Sequence, residues 1–359
     1  MPKSYTYDDA GVNRKQRVES KKQLKILQQT YKHSSFGAVM RLPYGNIFPI
    51  GQDNFLDLVV EGVGTKVLIA QLIKKYDTIG VDAVAMAVND VIRSGAKPLA
   101  IADNIHAQAS DPELVKAWLT GIAQGADESE CPVTGGEIGD VAEIIKGLAE
   151  NAGFDMVVSS VGQVSKQDII TGENIKADDP IIGLASSGLH SNGITLARKI
   201  LFKQWGGKFE PTDIPECLDR QVALEALEPT KIYVKPLLKL AHEVKIKAAV
   251  HITGDAYMKF NNLTRTSPGI GFEFTNFNPQ PIFGLIQKTA QELGYTITDE
   301  EMFKTFNMGW GFGIIVDKTN IDQAMNTLEQ DSVKTEIIGK ITSKQQVEVH
   351  YKNKTMILT

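Results

Sequence analysis

Residues 55–75, FLDLVVEGVGTKVLIAQLIKK, join an apolar run to a helical pattern through a short turn that contains two glycines. The run over 55–60 is typical of a buried strand, and the apolar residues over about 65–75 recur with the spacing of a helix. Apolar runs alternate with helix-period segments in the same way along most of the chain. This alternation predicts a layered α/β (α+β) fold rather than a sandwich or a helical bundle.

The segments that follow carry clear helix boundaries. Asp82 is predicted to cap a helix that runs through Ser94, because Gly95 is a residue type at which helices commonly end. Asp111 is predicted to cap the next helix, since Pro112 suits its first turn.

A polar stretch over 165–179 lacks a clear period and separates two halves of the chain. We therefore predict two domains, 1–170 and 171–359. The second half is predicted to hold strands over 180–185, 248–252 and 309–316 and a helix from about Ile194. No fixed-period repeat is visible, which argues against a solenoid.

Composition narrows the class of protein. The 359 residues include 38 basic and 43 acidic side chains, a formal net charge of −5, which argues against a protein that follows a nucleic-acid backbone. No apolar run reaches the ~18 residues that a bilayer crossing needs, and residues 1–9 lack the apolar core of a secretory signal. Cys131 and Cys217 are too few for a disulfide framework. We expect a cytoplasmic protein with no membrane segment and no nucleic-acid partner.

The turn after the first strand is a candidate phosphate site. Gly62 and Gly64 would let the backbone approach an anion, while Thr65 and Lys66 supply donors. Glu61 could hold a metal ion. An ordinary strand-to-helix turn explains the same residues equally well.

The helix predicted over 82–94 is apolar at nearly every other position, yet it carries Asn89 and Asp90. A buried carboxylate is costly unless it is paired or bound to metal. One interpretation is that Asp90 pairs with Arg93 and that Asp82 only caps the helix. The other is a hard-cation site, because Asp82 and Asn89 are seven residues apart and share a helix face.

The polar loop over 186–193, SSGLHSNG, is the third candidate, and its density of polar groups favours a ligand loop. His190 could transfer protons there, or it could be satisfied by a local carbonyl. His251 is equally compatible with a satisfied core histidine. Asp103 and Glu137 each follow an apolar stretch and could bind metal or a polar substrate, although surface acids are the common case.

Nine motifs in this order closely resemble the phosphoribosylformylglycinamidine cyclo-ligase family, also called aminoimidazole ribonucleotide synthetase. The motifs are DAGVN (9–13), GVGTK (62–66), DTIGVD (77–82), VND (88–90), GGE (135–137), ASSGLHSNG (185–193), PTKIYVK (229–235), HITG (251–254) and TFNMG (305–309).

The resemblance implies a function. The family cyclises formylglycinamidine ribonucleotide to 5-aminoimidazole ribonucleotide in purine biosynthesis, using ATP and Mg²⁺ and releasing ADP and phosphate. It also implies the two-domain fold of an ATP-binding superfamily and a homodimer whose N-terminal domains form a barrel-like core.

The resemblance also implies roles for individual residues. The catalytic residues would be His190, Lys66 and Asp103. The nucleotide would be bound by Gly62, Gly64, Thr65, Lys66, Asn89, Asp90 and Glu137. The substrate would be bound by Gly188, His190, Ser191, Asn192, Thr253 and Asn307, and the metal by Glu61, Asp82 and Asp90.

The chain departs from the family pattern at several places. Glu61 stands where the family usually has Asp, and Asp255 and Ala256 follow the HITG motif where the family has further glycines. Two other functions therefore stay open: a phosphotransferase of the same superfamily that resembles thiamine-monophosphate kinase, and a non-catalytic paralogue that binds nucleotide.

Overall fold

The structure, a computed structural model, describes residues 3–331 and 333–359. The strands are β1 Lys3–Ser4, β2 Met40–Arg41, β3 Asn46–Gly51, β4 Asn54–Gly62, β5 Lys97–Ala107, β6 Val133–Asp140, β7 Phe154–Ser165, β8 Pro180–Ala185, β9 Ile246–His251, β10 Gly271–Phe274, β11 Tyr295–Thr296, β12 Trp310–Val316, β13 Thr335–Thr342, β14 Val347–Tyr351 and β15 Lys354–Leu358.

Helices cover both halves of the chain. The α-helices are α1 Arg14–Lys22, α2 Lys66–Ile73, α3 Asp77–Val91, α4 Pro112–Glu128, α5 Ile194–Leu201, α6 Val222–Ala226, α7 Val234–Glu243, α8 Pro281–Glu292, α9 Asp299–Thr305 and α10 Ile321–Gln330. The 3₁₀ helices are Gln23–His33, Ile92–Ser94, Lys203–Trp205, Ala256–Arg265 and Lys318–Asn320. The predicted mixed α/β class is confirmed.

Two large sheets lie on either side of the polar stretch. Strands of the first half form a six-stranded sheet in the order β2-β3-β4-β7-β5-β6, and strands of the second half form a seven-stranded sheet in the order β15-β14-β10-β13-β8-β12-β9. Strand β7 ends at Ser165 and β8 begins at Pro180. We keep residue 170 as the proposed boundary, although β1 pairs in parallel with β11 and so lies with the second half.

Most elements predicted from strong local patterns are confirmed. The first strand, turn and helix correspond to β4 and α2, and the strands predicted in the second half correspond to β8, β9 and β12. Helix α4 begins as expected, since the Asp111 side chain accepts hydrogen bonds from the backbone N–H groups of Glu113 and Leu114.

The predicted start of the buried helix at Asp82 is wrong, because α3 begins at Asp77 and Asp82 lies fully buried inside it. Tertiary packing explains the extra turn. Gly80 and Gly121 lie at the crossing of α3 and α4, and a Cβ atom on Gly121 would overlap the carbonyl oxygen of Asp77. The two glycines therefore allow the backbones to meet and to bury the first turn of α3.

One face of the six-stranded sheet is covered by α3, and the other face is open. Along β7 buried residues alternate strictly with half-buried ones, as expected of a strand with one covered face and one open face. On the open face Leu58 and Val60 of β4 are 60% and 59% exposed. In the sheet order β2 and β6 lie at opposite ends, so the chain by itself presents an open sheet.

Within residues 3–331 and 333–359, no helix combines the length and apolarity that a bilayer span requires.

Candidate functional site

A cavity of about 920 Å³ lies where β4, the end of α3, the 3₁₀ helix Ala256–Arg265 and the N-terminal segment meet. Its walls therefore come from both halves of the chain. The charged side chains that line it are the carboxylates Asp57, Glu61 and Asp90 and the cations Lys21, Arg41, Arg93, Lys259 and Arg265. Because cations outnumber carboxylates, the cavity suits an anionic ligand.

Asp90 has a partner on each of its carboxylate oxygens. Oδ2 lies 2.7 Å from the Arg93 guanidinium, and Oδ1 lies 2.8 Å from Nδ1 of His251. Burial alone would raise the pKa of Asp90, but Arg93 and then His251 hold it well below its usual range. Asp90 is therefore an ionised carboxylate. Its predicted pairing with Arg93 is confirmed, whereas the other part of that interpretation, Asp82 as only a helix cap, is wrong.

The other two carboxylates of the cavity are held less firmly in the ionised form. Burial, and after it the negative charge of Asp90, raises the pKa of Glu61 to about 7. Burial also raises the pKa of Asp57 to about 6, against the opposing effect of Arg93. These two side chains lie on the same face of β4, because residues 57 and 61 are an even number of positions apart.

Lys259 brings a cation from the second half to the same cavity. Its ammonium donates to the carbonyl oxygen of His251 at 3.2 Å and to the hydroxyl of Thr253. Burial lowers the pKa of Lys259 to about 8, although Asp90 acts in the opposite direction. Thr253, predicted to bind substrate, is thus engaged by Lys259.

Lys66 and Asp82 form a fully buried ion pair with each other. The Lys66 ammonium lies 2.8 Å from Oδ2 of Asp82 and donates to the carbonyl oxygen of Glu228 at 2.7 Å. Oδ1 of Asp82 accepts from the backbone N–H and the hydroxyl of Thr230 and from the hydroxyl of Ser191. This setting differs from the predicted contacts with phosphate and metal, because the charges neutralise each other and tie α2 and α3 to the second half.

Asn89 and His190 both contact the backbone of Lys231, in the second half of the chain. The Asn89 side-chain amide donates to the carbonyl oxygen of Lys231 at 2.8 Å and accepts from the backbone N–H of Tyr233 at 2.9 Å. The backbone N–H of Lys231 points to Nε2 of His190 at 3.5 Å. The structure therefore brings the Asn89–Asp90 pair next to the 186–193 loop within one chain.

His190 is fully buried, and its surroundings favour a neutral ring. Its Nε2 accepts the backbone N–H of Ser187 at 3.2 Å. Burial, followed by nearby His251 and Lys66, lowers the pKa of His190 well below its usual value. These contacts favour a role in ordering the 186–193 loop, and the predicted proton transfer is not tested by them.

Asn307 is also hydrogen-bonded to the 186–193 loop. Its amide nitrogen donates to the carbonyl oxygens of Gly188 and Leu189, and its oxygen accepts from Ser186 and from the backbone of Gly309. Both polar atoms of this predicted substrate-binding side chain are thus hydrogen-bonded to the loop, and its oxygen also to Gly309.

The turn after β4 and the 186–193 loop lie side by side. The Thr65 hydroxyl is 2.9 Å from the hydroxyl of Thr195, in the first turn of α5. Gly64 has a φ of +67°, which suits glycine, while the neighbouring Gly62 belongs to β4. Asn192 is near Gly254, since a Cβ on that glycine would lie 3.5 Å from the Asn192 side-chain oxygen.

A second, smaller cavity of about 470 Å³ adjoins the first. It is formed by the N-terminal segment around α1, including Asn13 and Arg17, and it shares Lys21 with the larger cavity. Arg17 also approaches Gly254, which links this cavity to the 251–254 motif.

Asp103 and Glu137 lie apart from both cavities. In the strand register Asp103 of β5 and Glu61 of β4 both pair with Val158 of β7, so the Cα atoms of Asp103 and Glu61 are two strand spacings, roughly 10 Å, apart. Glu137 is exposed on the edge strand β6. The structure therefore does not bring these two predicted residues into the cluster around Asp90.

Comparison with known proteins covers nearly the whole chain. Two family models match it: the N-terminal domain of AIR synthase related proteins over residues 38–164, and the C-terminal domain over 176–352. A phosphoribosylformylglycinamidine cyclo-ligase of Bacillus pumilus is 38% identical over 346 residues, which cover 94% of this chain and 96% of the relative. The protein of that name from Carboxydothermus hydrogenoformans is 42% identical over 285 residues, 79% of each chain. The chain belongs to the phosphoribosylformylglycinamidine cyclo-ligase family.

Membership of the cyclo-ligase family confirms two predictions, the family itself and that the chain is an enzyme. Among solved structures, T. maritima PurL complexed with FGAR has a TM-score of 0.60 at 13% identity, over 91% of this chain and 47% of PurL. The chain thus spans about half the length of PurL. At this identity the likeness supports the fold alone.

The metal ligands predicted from the cyclo-ligase family do not fit a shared cation site. Asp82 is paired with Lys66 and hydrogen-bonded to Thr230. One oxygen of Asp90 contacts Arg93 and the other contacts His251. Across the residues that the structure describes, no three His, Cys, Asp or Glu side chains converge as a metal site would need.

Six charged residues of the cavity were missed as candidate ligand contacts: Lys21, Arg41, Asp57, Arg93, Lys259 and Arg265. Asp57 could have been found, since an acid inside an apolar strand is unusual. Lys259 and Arg265 lie in a 3₁₀ helix that brings them to the cavity only in the folded chain, so no local pattern marks them.

Proposed function

We propose that the chain catalyses the ATP-dependent cyclisation of formylglycinamidine ribonucleotide to 5-aminoimidazole ribonucleotide, with release of ADP and phosphate. Membership of the cyclo-ligase family along nearly the whole chain supports this proposal. The observation that carries it is the cavity of about 920 Å³, whose cations come from both halves of the chain. A triphosphate and a ribonucleotide phosphate are the kind of ligands that such a cavity attracts.

The reaction follows from the chemistry of the amide. The formyl amide oxygen attacks the γ-phosphorus of ATP, and ADP leaves. The amidine nitrogen then attacks the activated carbon, the ring closes, and the former amide oxygen leaves as part of inorganic phosphate while the nitrogen loses a proton. Fixed cations favour the first step because negative charge develops on the transferring phosphoryl group.

The described residues suggest how the two ligands could be arranged. We place the ATP phosphates in the larger cavity, where Arg93 and Lys259 supply positive charge from opposite halves. We place the ribonucleotide toward the smaller cavity, next to Arg17 and the 251–254 motif. In this arrangement the 186–193 loop is held rigidly between the two ligands by Asn307 and His190.

Magnesium is proposed to accompany the nucleotide. In proteins Mg²⁺ is commonly bound by phosphate oxygens with few protein carboxylates. Because the predicted ligands do not form a cage, we assign this chain no catalytic step that depends on a protein-held metal.

A homodimer is proposed through the open face of the six-stranded sheet. Leu58 and Val60 expose most of their surface there. An apolar sheet face of this kind is typical of a protein interface. A second copy of the sheet packed on this face would produce the barrel-like core expected for the family.

The direct test supplies formylglycinamidine ribonucleotide, ATP and Mg²⁺ to the purified chain and measures the aminoimidazole product and ADP. One ADP for each product is the expected result. ADP without cyclised product would contradict the cyclo-ligase and support a phosphotransferase. Nucleotide binding without turnover would contradict catalysis and support a non-catalytic paralogue.

A further inference from the structure

Arg93 is fixed against Asp90 by several contacts. Its terminal nitrogen lies 2.7 Å from Oδ2 of Asp90, and its Nε donates to the Asp90 backbone carbonyl at 3.0 Å. The guanidinium also lies over the ring of Tyr44, 5.2 Å from its centroid. The Tyr44 hydroxyl donates to the carbonyl oxygen of Lys259, so the aromatic ring that supports Arg93 is itself anchored.

The second oxygen of Asp90 is also taken. Nδ1 of His251 lies 2.8 Å from Oδ1, and the His251 ring is fully buried and stacked on Phe312. Asp90 is ionised and therefore accepts, so Nδ1 carries the proton that is donated. The carboxylate is held on one side by a permanent cation and on the other by a hydrogen-bond donor.

This arrangement conflicts with a metal ion bound by Asp90. A guanidinium stays protonated under all ordinary conditions, so its charge cannot be removed to admit another cation. A divalent ion on either Asp90 oxygen would lie within a few ångströms of this fixed positive charge, and the repulsion is strong at a buried site. Lys259, which lines the same cavity, adds a second charge of the same sign.

We propose that Arg93 is the resident counter-ion of Asp90 and takes the place that a protein-bound divalent cation would need. Arg93 is then a positioning residue that holds Asp90 and His251 in place. The cavity supplies its positive charge from the chain itself rather than from a bound metal. The inference rests on the proposed function only in placing the nucleotide in this cavity.

The test measures Mn²⁺ binding to the full-length chain without nucleotide, by the electron paramagnetic resonance signal of free Mn²⁺. Arg93→Gln should bind Mn²⁺ at least ~10-fold more tightly than the wild type, because the repelling charge is gone. Arg93→Lys keeps a cation and should bind as weakly as the wild type. Arg93→Gln combined with Asp90→Asn should lose the gain.

Arg265→Gln is the matched control, since it removes a cation that lines the same cavity but contacts the carbonyl oxygen of Pro43 instead of Asp90. Its Mn²⁺ affinity should stay at the wild-type value. An equal gain in this control would overturn the proposal, because the effect would then come from the general charge of the cavity. Equal Mn²⁺ affinity in wild type and Arg93→Gln would overturn it as well.

A measurement on the wild type keeps the proposal testable if Arg93→Gln does not fold. Mn²⁺ bound by Asp90 would broaden the NMR signals of the His251 ring, which touches the same carboxylate. Stoichiometric Mn²⁺ should leave those signals sharp, and broadening would contradict the proposal. Since neither experiment contains nucleotide or substrate, their outcome is independent of the product assay that tests the cyclo-ligase activity.

Discussion

Asp90 and His251 stand 161 positions apart in the chain, and their side chains meet in a hydrogen bond of 2.8 Å between Oδ1 and Nδ1. Asp90 belongs to α3 of the first half, and His251 ends β9 of the second half. The bond is buried and joins an ionised carboxylate to a neutral ring, so it is a charge-assisted link between the two halves. The geometry of the large cavity depends on this link, because Asp90 of the first half and Lys259 of the second half both line it.

The strength of this link can be measured by a double-mutant cycle. Asp90→Asn removes the charge that holds Arg93 and should lower the free energy of unfolding by about 3 kcal/mol. His251→Gln should cost about 1–3 kcal/mol. The double variant should be about 1–3 kcal/mol more stable than the sum of the two losses predicts, because the partners contact each other. Urea unfolding of the four proteins tests this, and strictly additive losses would show that the two side chains do not interact.

A structural role for Lys66 and a direct contact of Lys66 with phosphate predict different results for the same variant. The buried pair with Asp82 predicts that Lys66→Met lowers the free energy of unfolding by about 3–5 kcal/mol, since an uncompensated carboxylate stays behind. Lys66→Met combined with Asp82→Asn should recover part of this loss. Denaturant unfolding and ATP-binding calorimetry are the two measurements. Unchanged stability together with lost ATP affinity would instead favour the predicted phosphate contact.

The parts of the fold that could be predicted are those with a strong local period. Strand β4, with the turn and helix that follow it, could be recognised because apolar spacing and glycines agree over a short stretch. The start of α3 could not, because Asp82 resembles a cap in the sequence, whereas the helix begins at Asp77 without a side-chain cap. The earlier start depends on packing against Gly121 of another helix.

The candidate site was predicted as a set of residues but not as a set of contacts. The motifs around Asn89 and His190 do meet, which their order in the chain allows but does not require. Asp82 accepts a hydrogen bond from Thr230, which is 148 positions away in the chain. No local pattern in the sequence predicts this contact. For the same reason a free carboxylate and a neutralised one look alike in the sequence.

Asp57 predicts a pH-dependent contribution to stability. Its pKa in the folded chain is raised by burial to about 6, above the ordinary 3.8, so the folded state binds this proton more tightly than the unfolded state does. The ionised carboxylate therefore destabilises the fold above about pH 6, and this cost disappears below about pH 4. Asp57→Asn should raise the free energy of unfolding by about 1–3 kcal/mol at pH 8 and leave it unchanged at pH 4. Urea unfolding across this range is the measurement, and an equal difference at both pH values would contradict the assignment.

The proposed homodimer predicts that charge on the open sheet face separates the two copies. Leu58→Asp and Val60→Asp each place a carboxylate on a side chain that is already more than half exposed in one chain, so the isolated fold should tolerate them. In a dimer the same carboxylates would be buried without partners, which costs several kcal/mol. Ile214→Asp is the matched control, because Ile214 is 61% exposed but belongs to the second half. Sedimentation velocity should report a dimer for the wild type and the control and a monomer for both sheet variants. A wild-type monomer, or sheet variants that remain dimeric, would place the interface elsewhere or remove it.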